Sequence, residues 1–182
     1  MPFFPKPYAD AVARLRVPSG FLLVAVFACF SHPTALSLAI GGPISVAGLA
    51  LRAWAAGCLA KNRELATGGP YAFTRNPLYL GTLVVAAGLV AAARSLGLGA
   101  LFAAVFLFIY LPVIQNEEQH LRRLFPDYAA YAARVPALWP HLGPFRKTPN
   151  PFRLQLYLRN QEYKAGAGFA AGLLFLLWKV IR

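Results

Sequence analysis

Long stretches without a charged residue constrain the possible folds of this chain more strongly than any other feature of its sequence. No lysine, arginine, aspartate or glutamate occurs in residues 17–51, 76–93, 95–116 or 165–178. A helix needs about 20 predominantly apolar residues to cross a hydrocarbon core about 30 Å thick. Charged residues make up 13% of the chain, whereas ordinary soluble domains carry about a quarter. The sequence therefore predicts an all-α, polytopic integral membrane protein with four to five transmembrane helices, folded as a single domain over residues 1–182.

Turn-forming residues divide these stretches into separate helices. Residues 31–34 (SHPT) are typical of a turn, and residues 94–97 (RSLG) predict a tight hairpin between two apolar runs. The predicted helices are a first one that ends near residue 31, and three more over residues 34–58, 77–93 and from the hairpin to about residue 116. Pro43 is expected to kink the second helix, because proline lacks an amide proton and crowds the preceding turn.

The chain becomes charged after residue 116, and its apolar residues then recur at alternating spacings of three and four. This periodicity predicts an amphipathic helical segment along the cytosolic membrane surface, divided in two by Pro126. Residues 136–164 are rich in proline and basic residues and are expected to be irregular. The last apolar block, residues 165–178, suits either a short span or an interfacial helix, and both alternatives stay open. Its Gly168 and Gly172 form a small-residue face suited to packing on a neighbour.

The formal net charge of +12 is concentrated between the apolar blocks, in residues 1–16, 52–76 and 117–164. A nucleic-acid-binding protein would instead spread its basic residues along one face of a soluble fold, so a nucleic-acid partner is not expected. Basic segments between apolar spans follow the positive-inside rule. The N-terminus and the two other basic segments are therefore predicted to be cytoplasmic, at the inner membrane if the source is bacterial.

Two polar clusters are predicted to meet at this cytoplasmic face. One is GGPYAFTRNPLYLG, residues 68–81, and the other is the pair Glu117 and Glu118. Because the third and fourth helices form a hairpin, both clusters return to the same side of the membrane. Adjacent carboxylates at a helix end are costly unless they meet cations. Asn76 suits a helix N-cap, and a helix N-terminus favours a bound carboxylate.

A ligand with an ammonium group, a carboxylate and a flat aromatic base would suit these clusters. Simpler interpretations are equally compatible with the residues. Glu118 and Arg122 are four residues apart and would form an ordinary surface pair. In the same simpler interpretation, Arg75 contacts only a lipid phosphate, and residues 68–70 form only a turn. The residues by themselves leave the ligand site and these alternatives open.

Three pieces of the sequence resemble the membrane methyltransferases of the isoprenylcysteine carboxyl methyltransferase and phospholipid methyltransferase type. They are LRAWAAG (51–57), GGPYAFTRNPLYLG (68–81) and NEEQHLRRLFPDYAAYAARVP (116–136), and the resemblance covers about residues 45–140. It implies S-adenosylmethionine as the methyl donor and a lipophilic acceptor that enters from the bilayer. The acceptor would carry an isoprenylcysteine-type carboxylate or a phospholipid amine.

The resemblance also leads to expectations for individual residues. The expected cofactor-binding residues are Gly69, Tyr71, Arg75, Asn76, Pro77, Leu78, Tyr79, Gly81, Glu117 and Glu118. The expected catalytic residues, acting in orientation or proton acceptance, are Arg75, Arg134 and Glu117. The expected substrate-binding residues are Tyr128, Tyr131 and Arg134. Asn76 stands where many members have histidine, so proton transfer by a histidine is not expected there.

No metal is expected, because one histidine beside two glutamates is not a complete ligand set. Two other functions stay open. One is an NADPH-dependent membrane reductase of the sterol or steroid type, which shares an RxP-Y-like stretch with this chain. The other is a non-catalytic membrane protein such as a transporter subunit or assembly factor. The sequence leaves the identity of the acceptor and the oligomeric state undetermined.

Overall fold

The computed structural model describes residues 4–141, 143 and 151–182, and helices are the regular elements of this part of the chain. A 3-10 turn precedes α3, and a π-helical turn joins α4 to α5. The bounds are α1 Lys6–Phe30, α2 Ala35–Cys58, α3 Pro77–Ala93, α4 Leu96–Val105, α5 Leu111–Leu124, α6 Tyr128–Arg134, α7 Leu154–Arg159 and α8 Tyr163–Ile181. The predicted all-α fold is confirmed.

Among the described residues, three continuous helices are long and apolar enough to cross a membrane: α2, the combined α4–α5 helix over Leu96–Leu124, and α8. α1 is a fourth if its two parts, bent by 51° after Leu15, form one span. α3 is apolar but has only 17 residues, which is about 26 Å of helix. The protein is therefore a polytopic α-helical membrane protein, and a fifth span requires α3 to cross as well.

The most extensive helix contact joins α2 to α3, and glycines line it. Gly41 and Gly48 on α2 face Gly88 and Gly81 on α3, respectively. A Cβ atom on Gly48 would lie only 2.7 Å from the Gly81 carbonyl oxygen. Small residues let two helix backbones approach closely in a membrane, where close packing is a main source of association. Pro43 lies inside α2 without ending it.

The uncharged part of the fourth helix ends near residue 116 as predicted, and the amphipathic helical segment predicted after it continues the same helix to Leu124. The last turns of α5 carry charges on one side and apolar residues on the other, so the helix remains stable where it leaves the apolar layer. The predicted division at Pro126 is confirmed, since α6 begins as a separate helix at Tyr128.

A proline interrupts the hydrogen bonding of this long helix near its middle. Pro112 has no amide proton to donate to the carbonyl of Phe108, four residues earlier. The Tyr8 hydroxyl on α1 donates to that carbonyl instead, at 2.8 Å. The π-helical turn lies immediately before, at Phe106–Tyr110. α1 is thereby joined to the part of the long helix whose backbone is incompletely paired.

The C-terminal part is more regular than predicted. α7 lies within residues 136–164, where an irregular chain is predicted, so that expectation is wrong for Leu154–Arg159. Tertiary hydrogen bonds explain the difference. The side-chain amide of Asn160 donates to the carbonyls of Ala56 and Leu59, both at 2.9 Å, and so joins the end of α7 to the end of α2.

α8 reaches from one end of the helix bundle to the other. Glu162, just before α8, pairs with Arg52 near the end of α2. At the opposite end, Lys179 Nζ donates to the carbonyls of Ala28 (2.8 Å) and Ser31 (2.7 Å), where α1 ends. The last carbonyls of a helix lack partners within it, so a cation stabilises them. These two contacts favour a spanning α8 over an interfacial one.

The small-residue face predicted on α8 has no neighbour in the described part of the chain. A Cβ atom added to Gly168 or Gly172 would meet no heavy atom within 4 Å there. The glycines that bring helices together are instead those of α2 and α3.

Candidate functional site

Arg75, in the loop before α3, is at the centre of the candidate site. Its guanidinium forms a bidentate ion pair with Glu118 on α5, with Nε–Oε1 at 2.8 Å and Nη2–Oε2 at 3.1 Å. Nη1 donates to the carbonyls of Ala132 (2.7 Å) and Val135 (3.0 Å) at the end of α6. The Arg75 and Glu118 side chains are only 13% and 17% exposed. Arg75 therefore connects the motif loop to two other helices.

The loop before α3 lies against the segment that follows α6. The backbone N–H of Arg75 donates to the Pro136 carbonyl at 2.9 Å. Thr74 Oγ1 donates to the Ala137 carbonyl at 3.2 Å, and Asn76 Nδ2 donates to the same carbonyl at 3.0 Å. Asn76 occupies the N-cap position of α3, but its side chain forms no capping hydrogen bond. The predicted N-cap position is confirmed, but the side-chain amide is directed toward α5 and the segment after α6 and does not cap the helix.

Glu117 and Glu118 have different surroundings, because consecutive residues on a helix point about 100° apart. Both oxygens of Glu118 bind Arg75, and Oε1 also accepts from Asn76 Nδ2 at 3.3 Å. Glu117 is half-buried and lies near Tyr71. The pKa of the Tyr71 hydroxyl is raised, chiefly by burial and to a smaller extent by neighbouring groups that include the Glu117 carboxylate. The two glutamates therefore do not form one equivalent pair.

The 3-10 turn over Gly69–Ala72 positions Tyr71. Gly69 has φ 57°, a left-handed conformation that glycine adopts without strain. The Tyr71 side chain is buried against Ala55 and Cys58 at the end of α2 and against Ala66 in the loop that follows. The Tyr131 hydroxyl on α6 donates to the Tyr71 carbonyl at 2.7 Å. The turn is thus held between α2 and α6.

The residues expected to bind substrate lie in two environments. Tyr128 and Tyr131 are 1% and 3% exposed and form a core cluster with Val135. Burial is the main cause of the raised pKa of each hydroxyl, and the negative charge of Glu118 adds to it. Arg134 is exposed in the last turn of α6. The two tyrosines therefore support the site from within, whereas Arg134 remains accessible.

The first turns of α3 contact three neighbouring elements. Pro77 is buried, and Leu78 packs against the cluster that contains Tyr71. Tyr79 packs against Phe106 and contacts the Tyr110 ring edge-on, with 6.1 Å between ring centroids. Gly81 lies against α2. The predicted residues Arg75, Asn76, Glu117 and Glu118 therefore come together, while Leu78, Tyr79 and Gly81 surround them through packing.

Arg52 is a polar residue of this region for which the sequence patterns predicted no role. Its Nε lies 2.6 Å from Glu162 Oε1, and its Nη2 lies 3.0 Å from Oε2. Nη1 contacts the Thr82 hydroxyl and donates to the Leu78 carbonyl at 3.3 Å. A Cβ atom on Gly81 would lie 2.5 Å from Arg52 Cγ. An arginine in the last turns of an apolar helix was a usable signal, because such a charge requires a partner.

Two cavities lie away from this constellation. An apolar cavity of about 680 Å³ lies between α2 and α8, and a polar cavity of about 300 Å³ lies between α7 and the turn after α2. Neither is lined by Arg75, Asn76 or Glu118. Within the described residues, no three His, Cys, Asp or Glu side chains form a group that could hold a metal. The expectation of no metal stays a prediction.

Comparison with known proteins identifies the segment that carries the site. Residues 44–128 match the model of the phospholipid methyltransferase family, and the resemblance predicted from the three motif pieces is confirmed. The match includes Arg75, Asn76, Glu117 and Glu118 and ends at Tyr128, whereas α7 and α8 lie beyond it.

Two curated proteins are similar to part of the chain. The cobalt-zinc-cadmium resistance protein CzcN of Cupriavidus metallidurans is 42% identical over 86 residues. The nickel-cobalt-cadmium resistance protein NccN of Alcaligenes xylosoxydans xylosoxydans is 43% identical over 86 residues. Each match covers 47% of this chain and 40% of the relative, so the chain matches less than half of the length of these relatives. No solved structure matches the chain.

Proposed function

We propose that this protein transfers a methyl group from S-adenosylmethionine to a lipophilic acceptor that reaches the site from the bilayer. One observation carries the proposal: Arg75 and Asn76 of the first motif both bind Glu118 of the second. The two pieces of sequence that mark the family segment are thus parts of one constellation. Its position beside the basic segments supports a cytoplasmic site, with the N-terminus and motif loops on that side.

The charges and hydrogen-bonding groups of these side chains suit S-adenosylmethionine, and each side chain has a different proposed role. Glu118 is saturated by Arg75 and Asn76, so its role is to position the motif loop. Glu117 is a separate, half-buried carboxylate near Tyr71, and its negative charge suits the ammonium group of the cofactor. Gly69, with φ 57°, allows a ligand to approach the backbone of the turn. Arg134 is the accessible cation suited to an anionic part of the cofactor or acceptor.

S-adenosylmethionine, when bound, supplies a methyl group on a positively charged sulfur that is a good leaving group. The protein then has to orient the acceptor and exclude water. A carboxylate acceptor requires no base. An amine acceptor must lose a proton before it attacks the methyl group, and the neutral amide of Asn76 is not suited to accept that proton.

The test is calorimetric binding of S-adenosylhomocysteine to the purified protein in detergent. We expect binding by the unmodified protein and a loss of about tenfold or more in Glu117→Gln, because one charge-assisted interaction is removed. Glu64→Gln is the matched control, since Glu64 pairs with Arg153 at an exposed position, with side chains 53% and 52% exposed. It should bind like the unmodified protein.

NADPH is titrated in parallel to distinguish the competing functions. Tight NADPH binding without S-adenosylhomocysteine binding would replace the proposal by a membrane reductase. Folded protein that binds neither compound would favour a non-catalytic membrane protein. Equal losses in Glu117→Gln and Glu64→Gln would contradict the role assigned to Glu117.

A further inference from the structure

The polar cavity of about 300 Å³ is a distinct feature at the motif end of the bundle. It lies between the turn that follows α2 and the short helix α7, which is outside the segment matched to the family. Its lining residues are Leu59, Ala60, Lys61, Asn62, Arg63, Leu156, Arg159 and Asn160. We call it the α2–α7 cleft.

The charges that line the α2–α7 cleft are all positive. Lys61, Arg63 and Arg159 line it, and none of the described residues of its lining is acidic. The acidic residue next along the chain, Glu64, is engaged by Arg153 at 2.6 Å. Three cations around one concave space attract an anion much more strongly than isolated surface cations do.

Tertiary contacts hold the two sides of the cleft together. The Asn160 amide, on the α7 side, donates to the carbonyls of Ala56 and Leu59 on the α2 side. The backbone N–H of Arg153 donates to the Gly57 carbonyl at 2.9 Å. The cations therefore project from a joined pair of elements, so a bound anion does not have to bring the two sides together.

The surroundings of the cleft point to the membrane interface. Trp54, Leu154 and Leu158 are exposed on α2 and α7, the two helices beside the cleft, while Lys61, Arg63 and Arg159 are among the residues that line it. Apolar and aromatic side chains beside basic residues are typical of the headgroup level of a membrane. A free anion would require only the cations, whereas a phospholipid also covers the apolar side chains.

We propose that the α2–α7 cleft binds the phosphate group of an anionic phospholipid, with Lys61, Arg63 and Arg159 as its ligands. The headgroup phosphate lies among the three cations, and the acyl chains lie along the exposed apolar residues of α2 and α7. The site is separate from the Arg75–Glu118 constellation and does not rest on the proposed methyl transfer.

Native mass spectrometry of the full chain in detergent tests the proposal, with phosphatidylglycerol and phosphatidylcholine of identical acyl chains as probes. We expect one retained phosphatidylglycerol and no specific retention of phosphatidylcholine. The triple variant Lys61→Gln, Arg63→Gln, Arg159→Gln should reduce phosphatidylglycerol retention about tenfold or more, because each cation near an anionic headgroup contributes to binding.

A second triple variant, Lys6→Gln, Arg14→Gln, Arg123→Gln, removes the same total charge from exposed positions on α1 and α5, outside the cleft. It should retain phosphatidylglycerol within about twofold of the unmodified protein, since a distant exposed charge is largely screened. Equal losses in both triple variants would overturn the proposal in favour of diffuse charge. Equal retention of the two lipids would overturn it in favour of apolar adsorption.

Inorganic phosphate distinguishes the two sources of the phosphate group. Phosphatidylglycerol should raise the melting temperature of the unmodified protein but not that of the cleft variant. Inorganic phosphate should raise the melting temperature of neither protein. Stabilisation by inorganic phosphate to the same extent would overturn the lipid assignment. Helical circular dichroism and a monodisperse elution peak of the cleft variant in detergent serve as folding readouts that do not depend on the proposed methyl transfer. If the triple variant fails to fold, Arg159→Gln alone must still weaken phosphatidylglycerol retention, or the proposal is wrong.

Discussion

Replacing Arg75 by glutamine would test whether this residue holds the site together. The substitution removes two hydrogen bonds to Glu118 and two to carbonyls of α6, at 2.7–3.1 Å. Removing one partner of a buried ion pair costs about 3–5 kcal/mol, because the other charge is left without compensation. Since 13% and 17% of these side chains remain exposed, we expect the lower end of that range, a loss of about 3 kcal/mol.

The assay is unfolding of the purified protein in mixed detergent micelles, applied as a double-mutant cycle. Glu118→Gln alone should also destabilise the protein, because it leaves the guanidinium without its counter-charge. The double variant Arg75→Gln, Glu118→Gln should be less destabilised than the sum of the single variants by about 2 kcal/mol, since the two residues are in direct contact.

The matched control is the exposed pair of Glu64 and Arg153. Its side chains are 53% and 52% exposed, so the same substitutions should cost about 0.5 kcal/mol or less. Strictly additive losses at Arg75 and Glu118 would refute the reasoning, because additivity means that the two side chains do not interact. Losses at the control pair equal to those at Arg75 would refute the argument from burial.

Three further predictions concern packing, helix ends and pH. Gly88→Ala should destabilise the protein by about 1–3 kcal/mol, because the added Cβ would lie 2.5 Å from a carbonyl oxygen of α2. Gly42→Ala is the control, since Gly42 has open space around it. Equal losses of stability in the two variants would contradict the assigned contact between α2 and α3. Lys179→Met should lower the unfolding free energy by about 1–2 kcal/mol, and an unchanged value in micelle unfolding would show that α8 is not held to the end of α1. Because burial raises the pKa of Tyr128 in the folded state, stability should decline as pH rises above the ordinary tyrosine pKa of about 10. Tyr128→Phe should reduce that decline, and an unchanged pH profile would contradict the stated cause.

Much of the fold was predictable because it depends on local sequence. Uncharged stretches long enough to cross a bilayer predicted the membrane helices, and the two turns at residues 31–34 and 94–97 separated them correctly. The end of α5 also followed from local sequence, because Pro126 predicted the division between α5 and α6. The change from apolar to charged residues near residue 116 indicates where the helix leaves the apolar layer and not where the helix ends.

The sequence predicted which parts of the candidate site lie close together, but not which side chains pair with each other. The hairpin of α3 and α4–α5 required the Arg75 loop and the two glutamates to lie at the same membrane face. It did not indicate that Glu118 would bind both Arg75 and Asn76, or that Tyr128 and Tyr131 would be buried. Those outcomes depend on the rotation of α5 about its axis and on the position of α6, which distant contacts determine.

The sequence by itself determined the all-α membrane class, the approximate helix count and the family resemblance, because charge spacing and short motifs can be recognised without a partner. Only the tertiary structure decided which polar groups meet. Arg75 and Glu118 are 43 positions apart, Arg52 and Glu162 are 110 apart, and Lys179 and Ser31 are 148 apart. In an apolar medium each such charge requires a partner, but any of several opposite charges or carbonyls would satisfy it. The choice among them follows from how all the helices pack together, and the glycine-lined contact of α2 with α3 is the most extensive part of that packing.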